Sequence, residues 1–417
     1  MANEATRRIG LSLGADICWP RCYEDIMAQL DPVIDLDGER VGFEVERVRI
    51  EPFNLSEPTD YDLVIDRLTH WFSNTREWIK KAVILDDLYV FNNPWSVQSM
   101  EKQTTYCAMM RLGLNIPETM MIPRKEYDHD ADLEPTLERY ADLFDLETVG
   151  SNLGYPMFMK PYDGGGWRGV SKIDDAEALK EAYDSSGKFL MHLQKGVIPY
   201  DNFVRCIRIG PQTRVVEYDP DAPLHERYTT TFNHLSEDHL SEIRAITLTI
   251  NTFFGWDFNS CESLGRNGVW YPIDFANPCP DSQVTSLHRH FPWLVLSKIR
   301  WSVFCAATKR PFRRNLDWEP FFEIAATEAS YGEKIKAYGE LAEAHFDTER
   351  FEEFCNKHLG DLEEVAYEYF ATDACRVAVR EKVAALYPQH EVEEFTDRFW
   401  TAIGVWRDEE SLGGVGG

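Results

Sequence analysis

The sequence predicts an α/β (α+β) protein that ends in a helical region. Three observations carry this expectation. Short apolar strands alternate with helical spacing over the first hundred residues, strands dominate from Pro156 to Pro280, and helical spacing takes over after Phe291. At 417 residues the chain exceeds one ordinary core, so two or three packed regions are expected. The divisions fall at 1–95, 96–290 and 291–411, followed by a glycine-rich flexible tail at 412–417.

The elements follow in order. Ile9-Gly10-Leu11-Ser12-Leu13 reads as a first strand ending in a loop, and Tyr23, Ile26, Met27 and Leu30 mark one helical face over 21–30. Val41, Phe43, Val45 and Val48 alternate as a strand within 41–50, and 61–65 and 82–85 are compact apolar runs read as strands. Strands interleaved with helices favour parallel pairing. A helix is expected over 96–113, capped by Gly113, with Pro117 blocking its continuation. The acidic stretch 123–150 reads as a loop with one helix. Two helices, near 176–183 and 237–254, interrupt the strands that follow. Beyond 291, Phe351, Phe354, Leu359, Leu362, Val365 and Tyr369 show helical spacing.

Composition narrows the classes. Hydrophobic residues make up 44% and aromatics 13%, enough for a folded core rather than disorder. No apolar run reaches the length of a membrane span. The N-terminus has no secretory pattern, so the cytoplasm is the expected compartment. The nine cysteines are scattered and odd in number, which favours reduced thiols. Cys18 and Cys22 lack a second pair nearby and read as buried structural cysteines, and His288 and His290 near Cys279 likewise lack the partners of a zinc site. The net charge is −28, and 317–410 holds 24 acidic against 9 basic residues. Such a surface repels phosphate backbones and excludes nucleic acid as an expected partner.

The strongest local signal is Tyr155-Pro156-Met157-Phe158-Met159-Lys160-Pro161-Tyr162-Asp163-Gly164-Gly165-Gly166-Trp167-Arg168-Gly169-Val170. An apolar strand delivers a lysine into a loop with four glycines, and a second strand follows. Glycines let backbone N–H groups approach phosphate oxygens without a Cβ in the way. Lys160 supplies a point charge, and Arg168 offers a second. No Gly-Lys-Ser/Thr follows the glycines, so this is not a Walker loop, and the dinucleotide spacing is absent too.

The segment resembles the small glycine-rich loop of the ATP-grasp superfamily. Other segments resemble that family in its order. Asn92-Asn93-Pro94 followed by Met100-Glu101-Lys102 is similar to its asparagine loop and first lysine. Leu114-Asn115-Ile116-Pro117-Glu118-Thr119 is similar to its link into the nucleotide-binding half. Leu193-Gln194-Lys195-Gly196-Val197-Ile198 stands where the adenine hinge belongs, with Asp201 as an acidic ribose contact. Phe203 to Gly210 resembles the strand whose arginine, here Arg205 or Arg208, reaches phosphate or substrate. Tyr271 to Pro278 resembles the metal-binding strand. The resemblance spans 9–280 and implies a pre-ATP-grasp α/β domain, a two-lobed ATP-grasp domain and a C-terminal helical extension.

It also implies a site. Lys102, Lys160, Gln194, Lys195, Val197 and Asp201 would meet ATP, under a loop from Asp163 to Gly169 that includes Gly164, Gly165, Gly166, Trp167 and Arg168. Glu262, Asp274 and Asn277 would hold Mg²⁺, which neutralises the phosphates during transfer. Strand parity objects. If Gly265 and Gly268 flank a two-residue turn, Glu262 shares a face with Phe275 and Asn277 while Asp274 points away, so a β-bulge between Asp274 and Asn277 is expected.

The implied activity joins a carboxylate to an amine through an acyl phosphate, with small-molecule or peptide substrates. The alternatives are an ATP-grasp kinase and a non-catalytic nucleotide-binding protein. The helical block after 291 fits packing on the ATP-binding half, a homodimer contact, or a cap on the substrate cleft. Arg67 reads equally as a cation in the cleft or a salt-bridge partner.

Overall fold

The computed structural model describes residues 3–12, 16–50, 52–67, 72–99, 101–139, 144–163, 168–223, 225–229 and 235–411. The tail at 412–417 lies outside these residues. The chain begins with β1 (Asn3–Ser12), α1 (Cys18–Leu30), β2 (Ile34–Leu36), β3 (Glu39–Val48), β4 (Leu63–Ile65), α2 (Ser73–Asp86), β5 (Tyr89–Phe91), α3 (Pro94–Ser99) and α4 (Lys102–Arg111). It continues with β6 (Thr119–Ile122), α5 (Glu134–Arg139), α6 (Leu146–Leu153), β7 (Met157–Pro161), β8 (Ser171–Ile173), α7 (Ala176–Ser186) and β9 (Met191–Lys195). Next come β10 (Asn202–Ile209), β11 (Gln212–Glu217), α8 (Glu237–Phe254), β12 (Phe258–Arg266) and β13 (Val269–Pro278). Helices complete it: α9 (Val284–Leu287), α10 (Phe291–Ala307), α11 (Glu319–Ala325), α12 (Tyr331–Phe346), α13 (Thr348–His358), α14 (Leu362–Tyr369), α15 (Asp373–Ala384) and α16 (Val392–Ser411).

Three sheets result, ordered β2-β3-β1-β4-β5, β6-β9-β7-β8 and β11-β10-β12-β13. In the first, β1 pairs in parallel with β3 and β4, and β4 with β5, as alternation of strands and helices requires. The chain forms two compact units: residues 1–99, 205–260 and 278–417 make one, and 100–204 with 261–277 the other.

In the larger unit the first sheet packs on α10, which is buried along nearly its whole length. Tyr23 and Ser302 hydroxyls meet at 2.6 Å, and Tyr89 and Trp301 both donate to the buried Asp257 carboxylate, at 2.6 and 3.0 Å. Burial raises the Asp257 pKa. Helix α10 thus packs on the N-terminal sheet, α14 and α15 pack on α1, and α12 packs on α8. In the smaller unit Met157, Met159, Met191, Leu193, Ile122 and Ile173 face α6 and α7, with Leu153 and Leu179 filling the core between. Asp145 and Asp175 cap these two helices through backbone N–H groups.

Several sequence expectations change. The run 82–85 is not a strand but the last turn of α2. Trp78, Ile79, Ala82 and Val83 form its buried face at helical spacing, and Ile84 and Leu85 are exposed. The helix over 96–113 is divided into α3 and α4. Gly113, at φ +84°, does end it, its N–H meeting the Met110 carbonyl at 3.0 Å. The stretch 123–150 starts two helices, not one. The hairpin turn is Asn267-Gly268, one residue later than expected. Both residues have positive φ, 53° and 76°, as the tight hairpin turn with an Asn-Gly centre demands.

Candidate functional site

In the smaller unit, strand alternation separates two faces of the sheet. The methionines and leucines of β7 and β9 go to the helices, which leaves Lys160, His192 and Gln194 on the opposite face. Lys160 and His192 stand directly across from one another in the antiparallel register. The Lys160 ammonium donates to Gln194 Oε1 at 2.8 Å and to the Ile273 carbonyl at 3.4 Å. Gln194 is itself held, its amide donating to Thr119 Oγ1 at 3.0 Å.

Lys102 arrives from the start of α4. Its backbone N–H is tied to the Tyr162 carbonyl at 3.2 Å, at the base of the glycine-rich loop. Its ammonium lies 3.1 Å from Asp274 Oδ1 and 3.3 Å from Oδ2. The two lysines therefore meet consecutive residues of β13. Tyr106, one turn along α4, donates to the same Ile273 carbonyl at 2.7 Å and stacks edge-on against His192 and Phe275.

The electrostatics follow from burial. Lys160 is 9% exposed, and desolvation pulls its pKa down to about 8; Asp274 and Glu262 oppose the shift, and Lys102 adds to it by like-charge repulsion. His192, fully buried, is pushed down to about 3 by desolvation and by both lysines, so its ring is neutral at neutral pH. Among the described residues neither His192 ring nitrogen has a hydrogen-bond partner. A pair of desolvated cations beside an orphaned neutral imidazole is an arrangement that an anionic ligand with acceptor and donor atoms would complete.

The carboxylates answer the parity problem. Asn277 Nδ2 lies 3.3 Å from Asp274 Oδ1 and 3.4 Å from the Asp274 carbonyl. Residues three apart on a regularly pleated strand point to opposite faces, so this contact departs from regular alternation within a strand that runs from Val269 to Pro278. Glu262 is 7% exposed, and like Asp274 it acts on Lys160 and Tyr106. Among the described residues no three His, Cys, Asp or Glu side chains gather as a metal site. Glu262, Asp274 and Asn277 carry hard oxygen donors of the type Mg²⁺ takes alongside phosphate and water, with Asp274 engaged here by Lys102 and by the Asn277 amide nitrogen.

The remaining predicted residues are distributed as follows. Asp163, Arg168 and Gly169 are exposed, with Gly169 at φ +71° leading into β8. Gly164, Gly165, Gly166 and Trp167 lie outside the described residues. Lys195 is exposed and Val197 buried. The Asp201 carboxylate accepts from the Asn267 backbone N–H at 2.7 Å, which ties it to the hairpin turn. In the larger unit Arg205 and Arg208 diverge. Arg205 bonds Ser260 Oγ at 3.1 Å and the Tyr228 hydroxyl, whereas Arg208 is buried against the Phe346 ring and donates to the Pro211 carbonyl at 2.7 Å. Three positions apart on one strand, they leave by opposite faces and do not serve one site. Arg67 bonds Asp16 at 2.6 Å and the Cys279 carbonyl, so the salt-bridge reading holds.

Sequence reasoning missed His192, Tyr106 and Thr119. Their types are common in cores, and the only available signal was alternation: His192 and Gln194 are the polar members of β9. Cys18 and Cys22 are buried with sulfurs 4.0 Å apart, and His290 is engaged by Arg214 and the Thr229 carbonyl.

No family model matches the chain. Curated relatives match in part. A D-alanine–D-alanine ligase of Lactobacillus helveticus is 33% identical over 97 residues, 22% of this chain and 24% of that protein. One of Streptomyces griseus is 24% identical over 193 residues, 41% of this chain and 44% of that protein. The chain therefore spans less than half the length of these relatives. Among solved structures, the D-alanine–D-alanine ligase of Bacillus anthracis complexed with ATP aligns over 73% of this chain and 99% of that one, with 14% identity and a TM-score of 0.45. A RimK domain ATP-grasp protein from Sphaerobacter thermophilus aligns over 66% and 92%, with 14% identity and a TM-score of 0.44. Over part of its length the chain is thus similar in sequence to D-alanine–D-alanine ligases.

Proposed function

We propose that this protein is an ATP- and Mg²⁺-dependent ligase that joins a carboxylate to an amine through an acyl phosphate. The observation that carries the reading is the convergence of the Lys102 and Lys160 ammonium groups on Ile273 and Asp274 of one strand. The partial likeness to D-alanine–D-alanine ligases supports it from a second direction and makes small amino acids the first substrates to test.

The chemistry needs little from the protein beyond placement and charge. A carboxylate is a poor electrophile until its oxygen becomes a leaving group, and transfer of the γ-phosphoryl of ATP to it gives an acyl phosphate that an amine then attacks, releasing phosphate. Lys102 and Lys160 neutralise phosphate oxygens, and Gln194 orients Lys160. Glu262, Asp274 and Asn277 would hold Mg²⁺, which supplies further charge neutralisation at the phosphates. Nucleotide binding with its metal would release Lys102 from Asp274, freeing the lysine for phosphate and the carboxylate for the ion. Exclusion of water from the phosphates would protect the intermediate from hydrolysis. Residues of a protein nucleophile are not required.

The test is incubation of the full chain with ATP, Mg²⁺ and D-alanine or other small amino acids, following phosphate release and peptide formation. Ligation requires an amine for steady turnover. Phosphorylation of a hydroxyl without an amine would replace this reading with a kinase, and tight ATP binding without turnover on any acid would replace it with a nucleotide-binding protein.

A further inference from the structure

The larger unit contains a cavity of about 630 Å³ that takes nothing from the lysine site. Four arginines line it, Arg208, Arg214, Arg244 and Arg300, delivered by β10, β11, α8 and α10. Two of them are already engaged. Arg300 pairs with Glu363, and Arg214 shares its Nε with His290.

Arg208 is different. It is 2% exposed, its Nη2 donates to the Gly210 and Pro211 carbonyls, and its Nε is buried with no hydrogen-bond partner among the described residues. Among the described residues its hydrogen bonds go to carbonyls and not to a carboxylate. Burial lowers its pKa to about 10; Cys206 and Glu343 oppose the shift, and Arg244 adds a smaller like-charge repulsion in the same direction as burial. A buried guanidinium with an unsatisfied donor, lining one cavity with a second guanidinium, carries a desolvation cost that Cys206 and Glu343 offset only in part. An oxyanion between them would satisfy the donor and relieve the repulsion, since guanidinium groups match carboxylate and phosphate geometry. Glu343 and Glu352 are exposed at the same cavity and set an upper limit on ligand charge, because a polyphosphate would be repelled there.

We infer that this cavity is a second binding site, for a small carboxylate- or phosphate-bearing molecule held by Arg208 and Arg244. It is independent of the ligase reading, since it shares no residue with the lysine site.

The test is calorimetric titration of succinate and of inorganic phosphate into the full chain and three variants. Arg244→Gln and Glu343→Gln change half-buried or exposed helix positions that glutamine accommodates. Lys102→Ala disables the nucleotide site. Saturable binding of a probe is expected, weakened about tenfold or more by Arg244→Gln, tightened by Glu343→Gln and unchanged by Lys102→Ala. Preference between the probes identifies the ligand as carboxylate or phosphate. The inference is overturned if neither probe binds saturably, if Arg244→Gln and Glu343→Gln both bind as the parent does, or if Lys102→Ala alone abolishes binding.

Discussion

Lys160→Met separates what the lysine does for ligand from what it does to the fold. The ammonium is buried and its pKa stands at about 8 against an ordinary 10.5, so holding it charged at neutral pH costs the folded state roughly 3 kcal/mol. Methionine of similar length removes that cost. It also leaves the Gln194 Oε1 acceptor unpaired, which costs about 1–3 kcal/mol. The expected net effect at about pH 7 is a stabilisation between roughly zero and 2 kcal/mol. The sign depends on pH in a defined way. Between the folded and unfolded pKa values the unfolded chain binds more protons, so parent stability rises with pH through that window, and the advantage of the variant disappears above it. Meanwhile ATP affinity falls by about ten- to a hundredfold, the worth of one charge-assisted phosphate contact. Denaturant unfolding at about pH 7 and about pH 10, paired with nucleotide titration, measures both effects. Destabilisation by the same amount at both pH values, or unchanged ATP affinity, refutes the reasoning.

Three further outcomes are expected. In the parent protein, ATP affinity declines as pH rises through about 8, because Lys160 then gives up its proton; a Kd profile that is flat from neutral pH to well above that value counts against the assignment. Asp274→Asn removes a charge from the metal set and lowers Mg²⁺-dependent turnover on the order of a hundredfold, checked by initial rates across a magnesium titration. Gln194→Leu leaves the fold intact but lets the Lys160 ammonium swing, so kcat falls more than KM changes, read from steady-state kinetics.

Much of this architecture was legible in the residues. Helix α8 follows from its apolar spacing and closes on Gly255, and the parallel N-terminal sheet follows from strands alternating with helices. Lys160 could be singled out because a strand, a lysine and a glycine loop form a local pattern. The run 82–85 was misread because four apolar residues fit either period, and only the packing partners show which face is buried.

What the sequence determined by itself was what strong local patterns dictate: most of the strands and helices, the lysine-to-glycine segment, the polar positions on each strand, and the expectation of a bulge where Asp274 and Asn277 are three apart. Only the tertiary structure decided which of those polar positions meet. It drew Lys102 to Asp274 from far along the chain, set His192 beside Lys160 without a hydrogen-bond partner among the described residues, and sent Arg205 and Arg208 to opposite faces of β10. The physical reason is that pairing across strands and the depth of burial are properties of neighbours in space. The cost of a buried charge, which singles out Lys160 and Arg208, exists only once those neighbours have displaced water.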